Sequence, residues 1–251
     1  MFTIGADPEL FIHHKGKPIS AIGVIGGSKD HPRPIGNGCA VQEDNVAVEF
    51  CIPPADSVDK FYDSIMYSLD KITKEIPTGL QLKLSASEVF DDDQLTHPNA
   101  LEFGCEPDFN AWTKKMNPRP KCGNPNLRSA GGHVHVGAND VDPVQLIRSM
   151  DLFLGVPSTK LDMDTERRKL YGKAGAYRPK PYGAEYRTLS NFWIWDRKLI
   201  EWVYHQTSRA VDFVRKGNLL SVKDGAMIQQ CINNNDAKAY DFLVHKYQGA
   251  F

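Results

Sequence analysis

The segments of this sequence that are most typical of β-strands are mostly not followed by a helix of regular length. They cover residues 2–12, 18–24, 41–51, 80–87, 132–137 and 184–190. Parallel neighbours in a sheet need a long crossover connection, usually a helix, whereas antiparallel neighbours do not. The sequence therefore predicts an α+β fold, in which helices cover one face of an antiparallel or mixed sheet.

Five further segments have the apolar spacing or the end signals of helices. They begin at Asp56 or Ser57, Asp142, Asp196, Ser221 and Asp236. The second is expected to end near Gly155 and the third at Gly217, because glycine commonly follows the last turn of a helix. The 251 residues contain no linker and no low-complexity tract, so we predict a single domain that spans residues 1–251.

Composition argues against several classes of protein. No apolar run approaches the ~18 residues of a membrane-spanning helix, and no basic segment precedes an apolar stretch at the N-terminus as in a signal peptide. The five cysteines are odd in number and show no C-x-x-C spacing, which favours a reducing compartment. A net charge of -1 implies neither nucleic acid nor an acidic membrane as a partner. We therefore expect a cytoplasmic protein.

Carboxylates recur in two of the predicted strands. Asp7 and Glu9 lie two residues apart and so share a face, and Glu43 and Glu49, with Asp44 nearby, share a face if residues 41–51 form one regular strand. Carboxylates brought together repel one another unless a cation lies between them. Because Mg²⁺ and Mn²⁺ prefer oxygen ligands, we interpret the set as a metal site. Edge-strand charges that face water are the alternative.

The most specific local feature is the glycine-flanked segment from Gly131 to Gly137. It places His133 and His135 on one face of a strand, and its glycines allow a close approach of backbone or ligand. A single histidine in a strand is usually a buried polar residue with satisfied hydrogen bonds. A pair between glycines is more typical of a site, where either could contact a metal ion or a phosphoryl oxygen.

A basic segment follows, rich in arginine, lysine, glycine and tyrosine. Its cations are Arg167, Arg168, Lys169, Lys173, Arg178 and Lys180. Glu185 and Arg187 come next, two apart in a strand, and the arginine can donate two hydrogen bonds to a phosphate or carboxylate. A solvated basic loop, or an RNA-binding patch with stacking tyrosines, is the alternative.

Residues 110–128 are predicted to form a long loop of the kind that often serves as a lid.

Taken in this order, the acid-x-acid strand, the later glutamates, the His-x-His strand and Glu-x-Arg resemble the glutamine synthetase and glutamate–cysteine ligase superfamily of carboxylate–amine ligases. The start at Gly5-Ala6-Asp7-Pro8-Glu9 is most similar to the small phage-type members. The resemblance runs from Gly5 to about Asn191. It implies a curved, mostly antiparallel sheet of glutamine synthetase type with helices on its outer face, and ATP and two or three divalent ions bound within it.

The resemblance also implies roles for individual residues. Asp7, Glu9, Glu43, Glu49, His133 and Glu185 correspond to ligands of Mg²⁺ or Mn²⁺. Arg168, Arg178 and Arg187 correspond to arginines that meet phosphate, and Lys173 and His135 are further candidates for nucleotide contact. The sequence departs from the family in having Asp at the first acidic position, a proline between the first two acids, and a chain much shorter than a typical glutamine synthetase.

The activity that the resemblance implies is ATP-dependent formation of an amide from a carboxylate and an amine through an acyl phosphate, in the host cytoplasm if a phage encodes the chain. A phosphagen-kinase-like phosphotransferase, a metal-dependent hydrolase and a non-catalytic nucleic-acid-binding module are the alternatives. No P-loop, G-x-G-x-x-G or G-x-S-x-G motif supports other nucleotide folds or a serine hydrolase. Phe109, Trp112 and Tyr182 are candidates for the acceptor pocket. Nothing in the sequence names the acid, the amine or the oligomeric state.

Overall fold

The computed structural model describes residues 2–101, 108–118 and 123–249. Within them lie thirteen strands, numbered in chain order: β1 Thr3–His14, β2 Lys17–Ile19, β3 Arg33–Gly36, β4 Cys39–Asp44, β5 Ala47–Cys51, β6 Leu80–Lys83, β7 Ser87–Val89, β8 Phe109–Asn110, β9 Lys115–Met116, β10 Leu127–Ser129, β11 Gly132–Gly137, β12 Ala176–Lys180 and β13 Gly183–Tyr186. Cys105 and Cys122 lie outside the described residues.

Eleven of these strands form one open sheet in the order β3-β4-β5-β1-β11-β13-β12-β8-β9, with β2 and β6 also paired to β1. Every pairing is antiparallel. The predicted α+β class with a mostly antiparallel sheet is therefore confirmed. The strands β7 and β10 pair separately.

Strand β1 shows how the sheet divides its two faces. Ile4, Leu10 and Ile12 are buried in a large apolar cluster that also contains side chains of the helices. Asp7 and Glu9, on the opposite face, line a cavity. Alternation along the strand thus separates an apolar core from a polar site, as the sequence pattern predicted.

The segment 41–51 is a hairpin and not one strand. Strands β4 and β5 pair with each other, with Gln42 opposite Glu49 and Asp44 opposite Ala47. The turn between them contains Asn45, whose φ of 55° is in the left-handed region that asparagine tolerates well. The prediction of a single regular strand was therefore wrong. The hairpin changes which acids share a face.

The helices are α1 Val58–Glu75, α2 Pro98–Leu101, α3 Pro143–Met150, α4 Val156–Leu161, α5 Glu166–Leu170, α6 Arg197–Arg215, α7 Val222–Asn234 and α8 Ala237–Lys246. The five predicted helix starts are confirmed, and Ser221 and Asp224 form a reciprocal capping box. The second predicted helix continues past Gly155, through a π-helical turn at Asp151–Gly155 into α4. No helix of the described ranges has the length and apolarity that crossing a bilayer requires.

Part of the predicted loop 110–128 has regular structure. Strands β8 and β9 form a short hairpin at the edge of the main sheet, and β10 pairs with β7. Residues 119–122 of this segment lie outside the described residues. The hairpin pairs with β12 and so extends the sheet beyond the strand that carries Arg178 and Lys180.

Candidate active site

A cavity of about 500 Å³ lies on the face of the sheet opposite the large apolar core. Its lining comes mainly from alternate residues of β1, β4, β5, β11, β12 and β13, and from the loop that precedes β3. Acids and histidines occupy the central strands, and cations occupy β12 and the end of β13. The order of strands in the sheet therefore sets the order of charges across the cavity.

The first group of metal-ligating side chains consists of Asp7, His133 and Glu185. One ligand atom from each lies within 4.8 Å of the others. Asp7 and His133 face each other in the register of β1 and β11, with 3.4 Å between Asp7 Oδ1 and His133 Nδ1. His133 Nδ1 lies 3.9 Å from Glu185 Oε1, and both side chains are almost completely buried. Three adjacent antiparallel strands thus bring residues 178 positions apart in the chain to one point.

A second group lies beside the first and contains Glu9, Asp44 and Glu49. Its ligand atoms also lie within 4.8 Å of one another. Glu9 and Glu49 face each other across β1 and β5, and the β4–β5 hairpin adds Asp44. Glu9 Oε2 accepts a hydrogen bond from the Gly131 backbone N–H (2.7 Å), and Glu49 Oε2 accepts one from Gln42 Nε2 (3.0 Å). Each of these two carboxylates keeps an oxygen for another ligand.

The charges of the two groups shift their pKa values in opposite directions. Burial and the neighbouring charges of Asp7, Asp44 and Glu9 raise the pKa of Glu49 well above its usual range. Burial, with a contribution from Asp44, also raises the pKa of Glu9. Carboxylates crowded without a cation hold on to protons, so this second group has the electrostatics of a cation site.

Cationic and imidazole partners have the opposite effect on the first group. Burial alone would raise the pKa of Asp7, but His135 and His133 lower it below its usual range. Burial and the charge of Asp7 oppose ionisation of Glu185, yet Arg187, His133 and Lys180 lower its pKa to about 2. Both carboxylates are therefore ionised at neutral pH.

The basic wall is built on β12 and β13. Arg187 contacts Glu185, donates to His133 Nδ1 (3.2 Å), and its Nε lies 2.7 Å from Asp108 Oδ1. Lys180 Nζ lies 2.8 Å from Glu185 Oε2, and Arg178 lies 3.7 Å from Asp108 and 3.9 Å from Glu185. Three cations thus converge on one side of Glu185.

His135 connects the first group to Tyr182. Its Nε2 lies 2.9 Å from Asp7 Oδ2, and its Nδ1 lies 2.6 Å from the Tyr182 hydroxyl. Burial lowers the pKa of His135, but the Asp7 charge outweighs this effect and raises it. Burial, together with the charges of Glu185 and Asp7, raises the pKa of Tyr182 to about 12. Tyr182, one of the aromatic residues considered for the acceptor pocket, lines the cavity.

The two glycines before His133 have steric reasons to be glycine. A Cβ at Gly131 would overlap the His133 ring, and a Cβ at Gly132 would overlap the Ser190 carbonyl oxygen and lie 2.6 Å from Trp193 Nε1. The backbone therefore passes close enough for the His133 ring to lie over it. The glycine-rich pattern found in the sequence serves the placement of His133.

Glu43 does not line the cavity. Its Oε1 accepts hydrogen bonds from the backbone N–H groups of Gly23 (2.9 Å) and Gly26 (2.8 Å) on the other face of β4. Because the chain reverses between β4 and β5, Glu49 shares its face with Gln42 and Asp44, and Glu43 pairs with Val48. The expectation that Glu43 and Glu49 point to the same side was wrong, and Asp44 takes that position.

Arg168 and Lys173 also lie away from the cavity. Arg168 is buried, donates to the Ser158 carbonyl oxygen (3.0 Å), and lies 3.5 Å from Asp162. Lys173 is exposed to solvent and is not part of the cavity lining. The α5 helix and the turn after it carry these two side chains away from the sheet, so they do not join Arg178 and Arg187.

The basic segment does not form a continuous surface patch. Arg167 and Arg168 are buried, and Arg178 and Lys180 line the cavity. Arg167 donates to the carbonyl oxygens of Thr188 (3.1 Å) and Arg187 (3.3 Å), which supports the backbone of Arg187 from behind. This arrangement does not favour the nucleic-acid-binding alternative, which needs cations and tyrosines on one exposed face.

Several lining residues were not predicted as site residues. They are Lys29, Gln42, Asp44 and Lys180, with Asp108 beside the two arginines. The i, i+2 spacing of Arg178 and Lys180 was a usable signal, because both must share a face of β12. Lys29 and Asp108 follow no strand pattern. Only the tertiary structure brings them to the site.

Two of the three predicted pocket aromatics lie elsewhere. Trp112 donates its indole N–H to Asp151 Oδ2 (2.6 Å), behind the sheet. Phe109 contacts Tyr177, a side chain of the core face of β12, with ring centroids 6.1 Å apart. Neither lines the cavity.

Comparison with known proteins gives one family. No curated protein matches the sequence. A model of the family described as phage phiEco32-like COOH.NH2 ligase-type 2 matches residues 125–236, which include His133, His135, Arg178, Glu185 and Arg187. Asp7, Glu9, Asp44 and Glu49 lie before the matched region. The match confirms the resemblance seen in the sequence. At a coarse level it supports a ligase that joins a carboxylate to an amine. Over residues 125–236 the chain matches the phage phiEco32-like COOH.NH2 ligase-type 2 family.

Proposed function

We propose that the protein is an ATP- and divalent-metal-dependent ligase that forms an amide through an acyl phosphate. The observation that carries the proposal is the cavity itself. Two groups of three metal-ligating side chains lie side by side, and three cations flank one of them. Phosphoryl transfer from ATP needs this combination of metal-binding acids and phosphate-binding cations.

The donor chemistry of both groups fits hard divalent cations. Five of the six side chains offer carboxylate oxygens and one offers an imidazole nitrogen, a set suited to Mg²⁺ or Mn²⁺. Asp7, His133 and Glu185 would hold one ion, and Glu9, Asp44 and Glu49 another. A bound ion would neutralise negative charge on the phosphates and on the transferred phosphoryl group.

The cations of β12 and β13 would bind the nucleotide phosphates. Arg178 and Arg187 offer guanidinium donors suited to phosphate oxygens, and Lys180 adds a compact charge. Asp108 lies between the two guanidinium groups and would fix their direction. Such donors stabilise charge that develops on the transferred phosphoryl group.

The reaction has two steps. An oxygen of the substrate carboxylate attacks the γ-phosphorus of ATP, the bond from that phosphorus to the bridging oxygen breaks, and ADP leaves. The amine nitrogen then attacks the acyl carbon, the bond from carbon to the phosphate oxygen breaks, and phosphate leaves with the electron pair. The amine gives up a proton to a base, and the products are an amide, ADP and phosphate. The chain's own residues orient the reactants and exclude water from the acyl phosphate.

Calorimetric binding of adenylyl imidodiphosphate, a non-hydrolysable ATP analogue, tests the proposal. Wild type should bind the analogue with Mg²⁺ or Mn²⁺ and lose most of its affinity without metal. Glu185→Ala should stay folded and lose the metal-dependent binding. Glu201→Ala, at a half-exposed position of α6 outside the cavity, is the matched control and should bind as wild type does. Binding that is absent from wild type with either metal would contradict the proposal.

A further inference from the structure

The loop that precedes β3 brings one cation, Lys29, to the cavity. Lys29 lies on the β4 side of the acidic strands, whereas Arg178 and Lys180 lie at the other end, on β12. The cavity therefore has cations at both ends and carboxylates in the middle. The far cation is separate in sequence and in space from the basic wall.

The loop that carries Lys29 is fixed to the sheet by several contacts. Glu43 accepts hydrogen bonds from the N–H groups of Gly23 and Gly26, and Arg33 Nε donates to the Ile25 carbonyl oxygen (2.9 Å). Gly27 has a φ of 83°, and a Cβ there would lie 2.5 Å from the Val41 carbonyl oxygen. The loop thus follows β4 closely.

Lys29 stands in a tight turn at the end of this fixed segment. Ser28 and His31 exchange backbone hydrogen bonds of 3.1 and 3.0 Å around it. Its side chain is exposed and lines the cavity together with Gln42 and Asp44. The role of Glu43 becomes clear from this arrangement: it fixes the loop that presents Lys29.

The electrostatic setting of Lys29 differs from that of the other cavity cations. Lys180 and Arg187 lie within 3 Å of a carboxylate, and Arg178 lies within 4 Å of two. Over residues 2–101, 108–118 and 123–249, no carboxylate oxygen lies within 4.0 Å of Lys29 Nζ. Lys29 therefore has its charge available for an anion that enters the cavity.

We infer that Lys29 binds the carboxylate substrate, an inference that rests on the proposed function. The nucleotide phosphates belong at the β12–β13 end, where three cations converge. A second anion bound towards the other end lies near Glu49 and Asp44, whose charges repel it. Lys29 offsets that repulsion, and Gln42, which donates to Glu49, lines the same cavity. Lys29 is thus a residue for recognition of the acid and not of ATP.

Trapping the acyl phosphate with hydroxylamine tests this role. Wild type, Lys29→Gln and Lys29→Arg are incubated with Mg²⁺, ATP and hydroxylamine and with each proteinogenic amino acid, succinate or glutarate, and hydroxamate formation is measured. The inference predicts that Lys29→Gln raises KM for the acid by about tenfold, the cost of one charged contact. KM for ATP should stay unchanged, and Lys29→Arg should restore part of the loss. Lys198→Gln, on an exposed helix position, is the matched control.

The outcomes separate this inference from the proposed function. Wild-type turnover with an unchanged KM for the acid in Lys29→Gln would overturn the role of Lys29 and leave the ligase proposal standing. A loss of affinity for adenylyl imidodiphosphate in Lys29→Gln would move Lys29 to the phosphates and equally overturn the inference. Hydroxamate formation absent from wild type with every acid would reject both.

Discussion

A half-buried carboxylate and a fully buried one, on opposite sides of the sheet, show how the surroundings change the properties of the same chemical group. Asp7 lies in the cavity between His133 and His135, and its pKa is lowered. Asp151 is fully buried behind the sheet, and burial raises its pKa to about 7 although neutral donors partly oppose this. The histidines beside Asp7 favour its ionised form, which can attract a cation. The neutral donors around Asp151 do not offset its burial, and their hydrogen bonds hold parts of the fold together.

The donors around Asp151 come from three parts of the chain. The indole of Trp112 (2.6 Å), the hydroxyl of Tyr186 (2.8 Å) and the hydroxyl of Thr188 (3.3 Å) all donate to it. Asp151 begins the π-helical turn between α3 and α4. It therefore joins the helical layer to β13 and to the short β8–β9 hairpin, directly behind the residues of the basic wall.

The largest expected effect comes from neutralising Asp7. Asp7→Asn removes an anionic ligand and should lower hydroxamate formation with Mg²⁺ and ATP by about a hundredfold or more, as expected for loss of a group that stabilises charge in the reaction. The variant should stay folded, since Asp7 is half-buried beside the cavity and an amide has the shape of the carboxylate. Near-normal turnover would contradict the role of Asp7.

Asp151→Asn should give the reverse result. The amide turns an N–H group towards one of the three donors, and an unsatisfied buried donor costs about 1–3 kcal/mol of unfolding free energy. Denaturant titration measures this loss. Metal-dependent binding of adenylyl imidodiphosphate should stay close to wild type at a temperature where the variant is folded. A loss of binding without a loss of stability would place Asp151 in the active site and remove the contrast with Asp7.

A steric change directed at the His133 ring should have an intermediate effect. Gly131→Ala puts a methyl group against that ring, and we expect metal affinity to fall by about tenfold, as for other changes that misdirect a metal ligand. Mn²⁺ binding followed by electron paramagnetic resonance measures the change. Gly123→Ala is the control, because within residues 2–101, 108–118 and 123–249 no atom beyond its chain neighbours lies within 4 Å of the added group. Equal affinities for the two variants would argue against His133 as a ligand.

A further contrast with Asp7 concerns the pH dependence of stability. Because the pKa of Asp151 rises from 3.8 to about 7 on folding, the folded state binds more protons between these values. The contribution of Asp151 to stability is therefore greatest at acid pH and declines as pH rises from about 4 to about 7. The unfolding free energy of wild type, minus that of Asp151→Asn, should decrease over this range. A constant difference would show that Asp151 does not take up a proton on folding.

Much of the candidate site was predictable because strand alternation is a local rule. Asp7 with Glu9, His133 with His135, and Glu185 with Arg187 are i, i+2 pairs, and each pair lines the cavity as predicted. The prediction that Glu43 shares a face with Glu49 was wrong because alternation holds only within one strand. A two-residue turn at Asn45 and Val46 reverses the chain between them. Arg168 was assigned from the resemblance and not from alternation, and it lies on a short helix against Ser158 and Asp162, away from the cavity.

The sequence by itself determined which residues share a face within each strand and where the long helices begin, since both depend on neighbours within a few positions of the chain. It favoured an antiparallel or mixed sheet without deciding which strands pair. The tertiary structure decided how the strands are ordered. That order places β1 between β5 and β11, and it brings Asp44, Asp108 and Lys29 to the cavity. Burial and charge then set the pKa of each acid, because both depend on groups that are distant in sequence and adjacent only in the fold.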